Sequence, residues 1–73
     1  MVRLHVDMNN REDQRTIVIP SRYVSAEGLV AGARVILYEP GDIECEAIVR
    51  RGASWEWVAD IVEGTIRKST PEE

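Results

Sequence analysis

Few side chains in this sequence are able to do covalent chemistry, and their surroundings argue against most of it. There is one histidine, His5, and one cysteine, Cys45. His5 lies in an alternating stretch, with Arg3 and Asp7 on its own side and Val2, Leu4, Val6 and Met8 on the other. That pattern predicts an exposed histidine on the polar face of a strand, with no serine or cysteine motif beside it to make it a general base. Cys45 alternates with Ile43, Ala47 and Val49 and is flanked by Glu44 and Glu46. A reactive thiol needs an electropositive, open setting, so Cys45 reads as a small buried hydrophobe. One Cys and one His cannot supply the four ligands of the usual zinc site, and no metal or cofactor is expected. Gly28 and Gly32 bracket apolar residues and lead into a strand rather than a helix, so they do not form a phosphate-binding loop. An enzyme is therefore not expected.

Two groups of residues suit binding better. Glu44, Glu46, Glu56 and Asp60 fall on one face of consecutive strands. They form either a solvated outer face, or a docking surface for a basic partner or a weak cation site. The second group is apolar: Ile36, Tyr38, Ile48 and Val58 share that outer side, and Trp55 sits beside a turn at the rim. A small protein seldom leaves such a stripe open, so it is either an interface or covered by the N-terminal segment. Trp57, two residues after Trp55, is expected in the core.

These residues need a β-framework to hold them. Residues 2–8 alternate as a half-buried strand, and 15–20 form a second, β-branched strand ending at Pro20. An antiparallel hairpin of the two, with Met8 facing Arg15, Val6 facing Ile17 and Leu4 facing Ile19, brings their apolar residues together. Ser21 is placed to cap a short helical turn through Tyr23 to Glu27, with Gly28 ending it. Residues 33–39 make a third strand. Pro40-Gly41-Asp42 suits a three-residue loop, which pairs Leu37 with Cys45 and Val35 with Ala47 on the fourth strand. A loop at Gly52-Ala53-Ser54 then sets Val49 against Trp57, Ala47 against Ala59 and Cys45 against Ile61, with Arg50 beside Glu56 and Asp60 across from Glu46. A last turn at Glu63-Gly64 sets Ile61 against Ile66 and Asp60 against Arg67.

The expected fold is mainly β: a small six-stranded antiparallel barrel of the Src-homology or Tudor kind with one short helical turn. It is a single domain over residues 1–68, followed by a disordered tail over 69–73. At 73 residues the chain has room for one domain, and a chain of that length buries only about 60% of its unfolded surface. Its composition is globular, with 44% hydrophobic and 30% charged residues. Thirteen acidic against nine basic residues give a net charge of −4, which weighs against non-specific nucleic-acid binding. The single cysteine and the absence of a long apolar run at the N-terminus favour a cytoplasmic, reducing compartment, and no membrane partner is expected.

Ile19-Pro20, Gly28-Leu29 and Gly32-Ala33-Arg34-Val35 stand in an order that resembles the AbrB/MazE/SpoVT swapped-hairpin family of DNA-binding proteins. The resemblance covers roughly residues 2–50. It implies an interlocked homodimer acting as a transcriptional regulator or antitoxin, with Arg11 and Arg15 as phosphate contacts. The loop that holds Arg11 and Arg15 also holds Glu12 and Asp13, so its charges cancel. The expectation is accordingly a non-enzymatic binding or assembly module. Its partner is a protein or a second copy of the chain, and DNA binding through Arg11 and Arg15 is the alternative.

Overall fold

The structure, a computed structural model, describes residues 2–9, 15–23 and 29–69. Six strands form one mixed sheet among them: β1 (Arg3–His5), β2 (Thr16–Val18), β3 (Arg34–Tyr38), β4 (Ile43–Arg51), β5 (Trp57–Ile61) and β6 (Arg67–Lys68). A single 3₁₀ turn, Ser21–Tyr23, follows β2. Gly28, Glu27, Arg11 and residues 70–73, on which expectations were placed, lie outside the described residues.

The strands run in the order β1-β3-β4-β5-β2, with β6 on β4. The β3–β4 hairpin has the expected register: Val35 is opposite Ala47 and Leu37 opposite Cys45. Its turn gives the reason. Asp42 N–H donates to Glu39 O at 3.0 Å, and Gly41 takes φ +75°, a left-handed conformation that glycine adopts without steric cost. Glu39 N–H donates to Ile43 O and closes the three-residue loop.

Four expectations are corrected. First, β1 and β2 do not form a hairpin. β1 pairs with β3 in parallel, Leu4 opposite Leu37 and His5 opposite Tyr38, while β2 pairs with β5, Ile17 opposite Ala59. The apolar alternation of β1 fits either neighbour. The long connection from β1 to β3 is what a parallel pair requires.

Second, β5 is slipped by two residues. Val49 is opposite Ala59 and Ala47 opposite Ile61, so Trp57 meets Arg51 and Asp60 meets Ile48. The loop is residues 53–55 rather than 52–54: Gly52 N–H donates to Glu56 O at 2.8 Å and Trp55 N–H to Gly52 O at 3.0 Å. The Glu56 carboxylate folds back over Gly52, into the space a side chain there would take. A slip of two keeps every side chain on its expected face, whereas a slip of one reverses them all.

Third, β6 pairs with the start of β4, Glu44 opposite Arg67, and not with β5. The nine-residue β4 thus carries β5 and β6 in succession along one edge. Thr65 bridges the break between them: its Oγ1 accepts the Glu46 N–H at 3.0 Å and donates to Val62 O at 2.7 Å. Ser69, assigned to the tail, belongs to the fold. It is 1% exposed and donates its N–H to Asp42 O.

Fourth, the sheet is open and mixed rather than a closed antiparallel barrel, with β1 and β2 at its edges. It still encloses one core. Leu4, Val6 and Met8 from one edge and Ile17 and Ile19 from the other pack with Val35, Leu37, Cys45, Ala47, Val49 and Ala59. Burying both edges in one cluster requires the sheet to curl around it. None of the described helices is long and apolar enough to cross a membrane.

Candidate functional site

The acidic outer face is neutralised within the chain. Glu44, only 6% exposed, accepts two hydrogen bonds from Arg67 at 2.6 and 2.9 Å and lies 3.8 Å from Arg3. Those Arg67 hydrogen bonds hold its carboxyl below the usual carboxylate range against the opposing effect of burial. Glu46 pairs with Arg34 at 2.6 Å. Asp60 accepts from Arg50 at 2.6 and 3.1 Å and from the Thr16 hydroxyl at 2.8 Å, and its carboxyl is also lowered, chiefly by the Arg50 hydrogen bonds. Glu56 stands apart in the β4–β5 loop, where its Oε1 accepts the Ser54 N–H at 3.2 Å. Arginine–carboxylate pairing organises this face, and a basic partner has to compete with it.

The apolar outer stripe is largely occupied. Tyr38 stacks on His5, with ring centroids 5.3 Å apart, and carries the Arg3 guanidinium 4.6 Å above its ring. His5 is exposed, as its strand face predicts. Ile36 and Ile48 are half-buried, and Val58 is fully buried between its cross-strand partners Arg50 and Val18. Cys45 is 2% exposed in the core, in the environment predicted for an inert thiol.

Trp55 stands in a different setting. The β4–β5 hairpin ends in a tight turn over residues 52–55, and its last residue, Trp55, is left-handed at φ +65°. Glycine is the usual occupant of that position in a three-residue hairpin loop. A bulky side chain at positive φ is strained and needs its surroundings to hold it. Here the Trp55 N–H donates to Gly52 O, and the Arg51 Nη1 donates to Trp55 O at 2.9 Å. These bonds hold the backbone, and Trp55 is 76% exposed.

Trp55 forms one wall of an open cleft of about 390 Å³. Val18, Ile19 and Pro20 at the end of β2 form the opposite wall, and Trp57, Arg51 and Glu56 complete it. Antiparallel pairing of β2 with β5 brings the walls together, because Ile19 N–H donates to Trp57 O at 3.0 Å. Trp57 is half-buried against the core and carries the Arg51 guanidinium 3.6 Å from its ring centroid. Its indole N–H is buried without a hydrogen-bond partner among the described residues. Sequence reasoning placed Trp55 at the rim but did not join it to Pro20, Arg51 and Trp57. Setting the loop one residue early hides the left-handed position, and the β2–β5 pairing does not follow from the sequence pattern.

Of the two arginines assigned to DNA, Arg11 is outside the described residues, and Arg15 is exposed with its guanidinium 3.7 Å from Glu63. Among the described residues, no group of three or more His, Cys, Asp or Glu side chains is arranged to hold a metal ion. No protein-family model, curated protein or solved structure matches the chain.

Proposed function

We propose that the protein is a non-enzymatic binding module whose contact surface is the Trp55 cleft and whose partner is a protein. The observation that carries this reading is a bulky aromatic residue held in a glycine-type backbone conformation with most of its ring in solvent. Exposed tryptophan contributes little to stability, and its left-handed backbone opposes stability. Strain of this kind collects where function requires a side chain in a set place. Tryptophan is also the residue most enriched among the energetic anchors of protein interfaces.

A small-molecule site fits less well. Such sites enclose most of their ligand, whereas here the main aromatic group stands at the rim. The reading also replaces the acidic face with the cleft as the contact surface, because Glu44, Glu46 and Asp60 already have arginine partners. Swapped-hairpin DNA binding remains the alternative that the Ile19-Pro20 to Val35 motif implies.

Selection from a displayed random peptide library tests the proposal. Sequences enriched on the native protein should fail to bind Trp55→Gly, which keeps the loop backbone and removes the indole. Absence of enrichment, or equal binding to the variant, would overturn it.

A further inference from the structure

We propose that the cleft takes an extended, acidic segment of a partner protein, with an apolar side chain against Trp55 and Pro20 and a carboxylate facing Arg51. The inference rests on the cleft being the contact surface and adds the chemistry of what fills it.

Arg51 supplies the first argument. Arg3, Arg15, Arg34, Arg50 and Arg67 each lie within 4.0 Å of a carboxylate. Among the described residues, Arg22 and Arg51 have no carboxylate within that distance, and of the two Arg51 lines the cleft. Its contacts there are the Trp57 ring and the Trp55 carbonyl. One guanidinium donor serves the Trp55 carbonyl out of the five that the group carries. A carboxylate is the partner whose geometry matches the remaining fork.

The same contacts weigh against the opposite charge beside Trp57. Two tryptophans and a glutamate at one cleft resemble a receptor for a cationic side chain, which would bind over an aromatic face. The Trp57 face is already taken by the Arg51 guanidinium at 3.6 Å. A second cation there meets the first. The Glu56 carboxylate does not reverse this balance, because it is turned onto its own loop, against Gly52 and the Ser54 N–H.

The apolar part of the occupant follows from the walls. Ile19 and Pro20 line the cleft together with Trp55, so an apolar side chain that enters it is removed from water against apolar surface. A segment of protein chain supplies that side chain and a carboxylate a residue or two away. An isolated carboxylic acid leaves the exposed Trp55 face uncovered.

Isothermal titration calorimetry on the full chain decides the matter. The probes are three acetylated, amidated hexapeptides of the pattern Ala-Pro-Xaa-Leu-Xaa-Ala, with Xaa as Glu, Gln or Lys. The Glu peptide should bind about tenfold tighter than the Lys peptide, with Gln between, and added salt should narrow the gap. Arg51→Gln should erase the difference between Glu and Gln, Arg51→Lys should restore part of it, and Trp55→Ala should weaken all three. Circular dichroism confirms that each variant is folded. Binding that needs Trp55 but ignores peptide charge overturns the acidic occupant and leaves the cleft as the contact surface. A preference for the Lys peptide, or a Glu preference that survives Arg51→Gln, overturns the inference. So does failure of all three peptides while library-selected sequences bind through Trp55.

Discussion

Tyr23 reaches across the open side of the sheet and accepts the backbone N–H of His5 on its hydroxyl at 2.8 Å. The neighbouring Arg22 donates to the His5 carbonyl at 2.7 Å. In β1 the residues that bond to β3 include Val2 and Val6, and the His5 backbone faces the other way, along the free edge. Two side chains from the turn after β2 thus occupy the donor and acceptor that another strand would use. An edge strand with unpaired backbone groups is a template for association, and this pair blocks it.

Each of the two contacts should contribute about 0.5–1.5 kcal/mol, the usual net value of such a hydrogen bond. Tyr23→Phe should lower stability by that amount in denaturant melts. The Arg22→Ala/Tyr23→Phe double variant should also self-associate more strongly in sedimentation velocity. A double variant that is destabilised yet as monodisperse as the native chain would show that these contacts do not guard the edge.

The left-handed backbone of Trp55 makes an unusual stability order the expected one. An L-residue in that conformation costs about 1–2 kcal/mol, and glycine avoids most of that cost. Trp55→Gly should therefore be more stable than Trp55→Ala by about 1 kcal/mol, although glycine is ordinarily the poorer residue. Trp57→Ala should lose about 3 kcal/mol, the lower end for a buried tryptophan, because Trp57 packs on the core but is only half-buried, with the Arg51 guanidinium over its ring. Chemical denaturation of the three variants measures all of this. An alanine variant at position 55 that matches or exceeds the glycine variant would refute the strained loop.

The parts of the fold that local chemistry determines could be read from the chain. Pro40-Gly41 dictates a turn type, the turn type dictates a loop length, and Leu37 then has one partner, Cys45. Side-chain faces were legible for the same reason, since they depend only on alternation. The neighbours of β1 were not legible. Leu4 packs equally well beside Ile19 or Leu37, and the choice is made by the whole sheet. The cleft combines both kinds of information. Trp55 at a rim follows from its turn, but its position opposite Pro20 needs the β2–β5 pairing. Its positive φ needs a loop one residue later than Gly52 suggests.

Acid should unfold the chain by breaking the outer-face pairs. Glu44 and Asp60 both have carboxyls lowered by arginine hydrogen bonds. A carboxyl lowered by folding contributes stability that is fully present above its unfolded value, about pH 4, and is lost as pH falls through the lower folded value. The native chain should thus hold its stability down to about pH 5 and lose it progressively below about pH 4. Arg67→Gln removes the main cause of the Glu44 shift, and Arg50→Gln that of Asp60. Each should lower stability at pH 7 and flatten the acid limb of a stability–pH curve. A limb with the native slope in both variants would place the acid sensitivity elsewhere.

DNA binding draws its energy from clustered cations, and each phosphate neutralised steepens the dependence on salt. The chain offers little of this. Its net charge is −4, and Arg15 already faces Glu63 at 3.7 Å. Arg3, Arg34, Arg50 and Arg67 are committed to Glu44, Glu46 and Asp60, so a phosphate has to displace a carboxylate at each of them. The exposed pairs are individually weak, which makes displacement possible, but the freed carboxylates would then repel the duplex. A random-sequence duplex should accordingly bind more weakly than about 10⁻⁴ M at physiological salt, the loose end of ordinary non-specific binding. Fluorescence anisotropy at two salt concentrations measures it. Micromolar affinity that falls steeply with salt and disappears in Arg11→Ala/Arg15→Ala would instead favour the swapped-hairpin reading, because the loop would then be acting as a cationic arm despite Glu12 and Asp13.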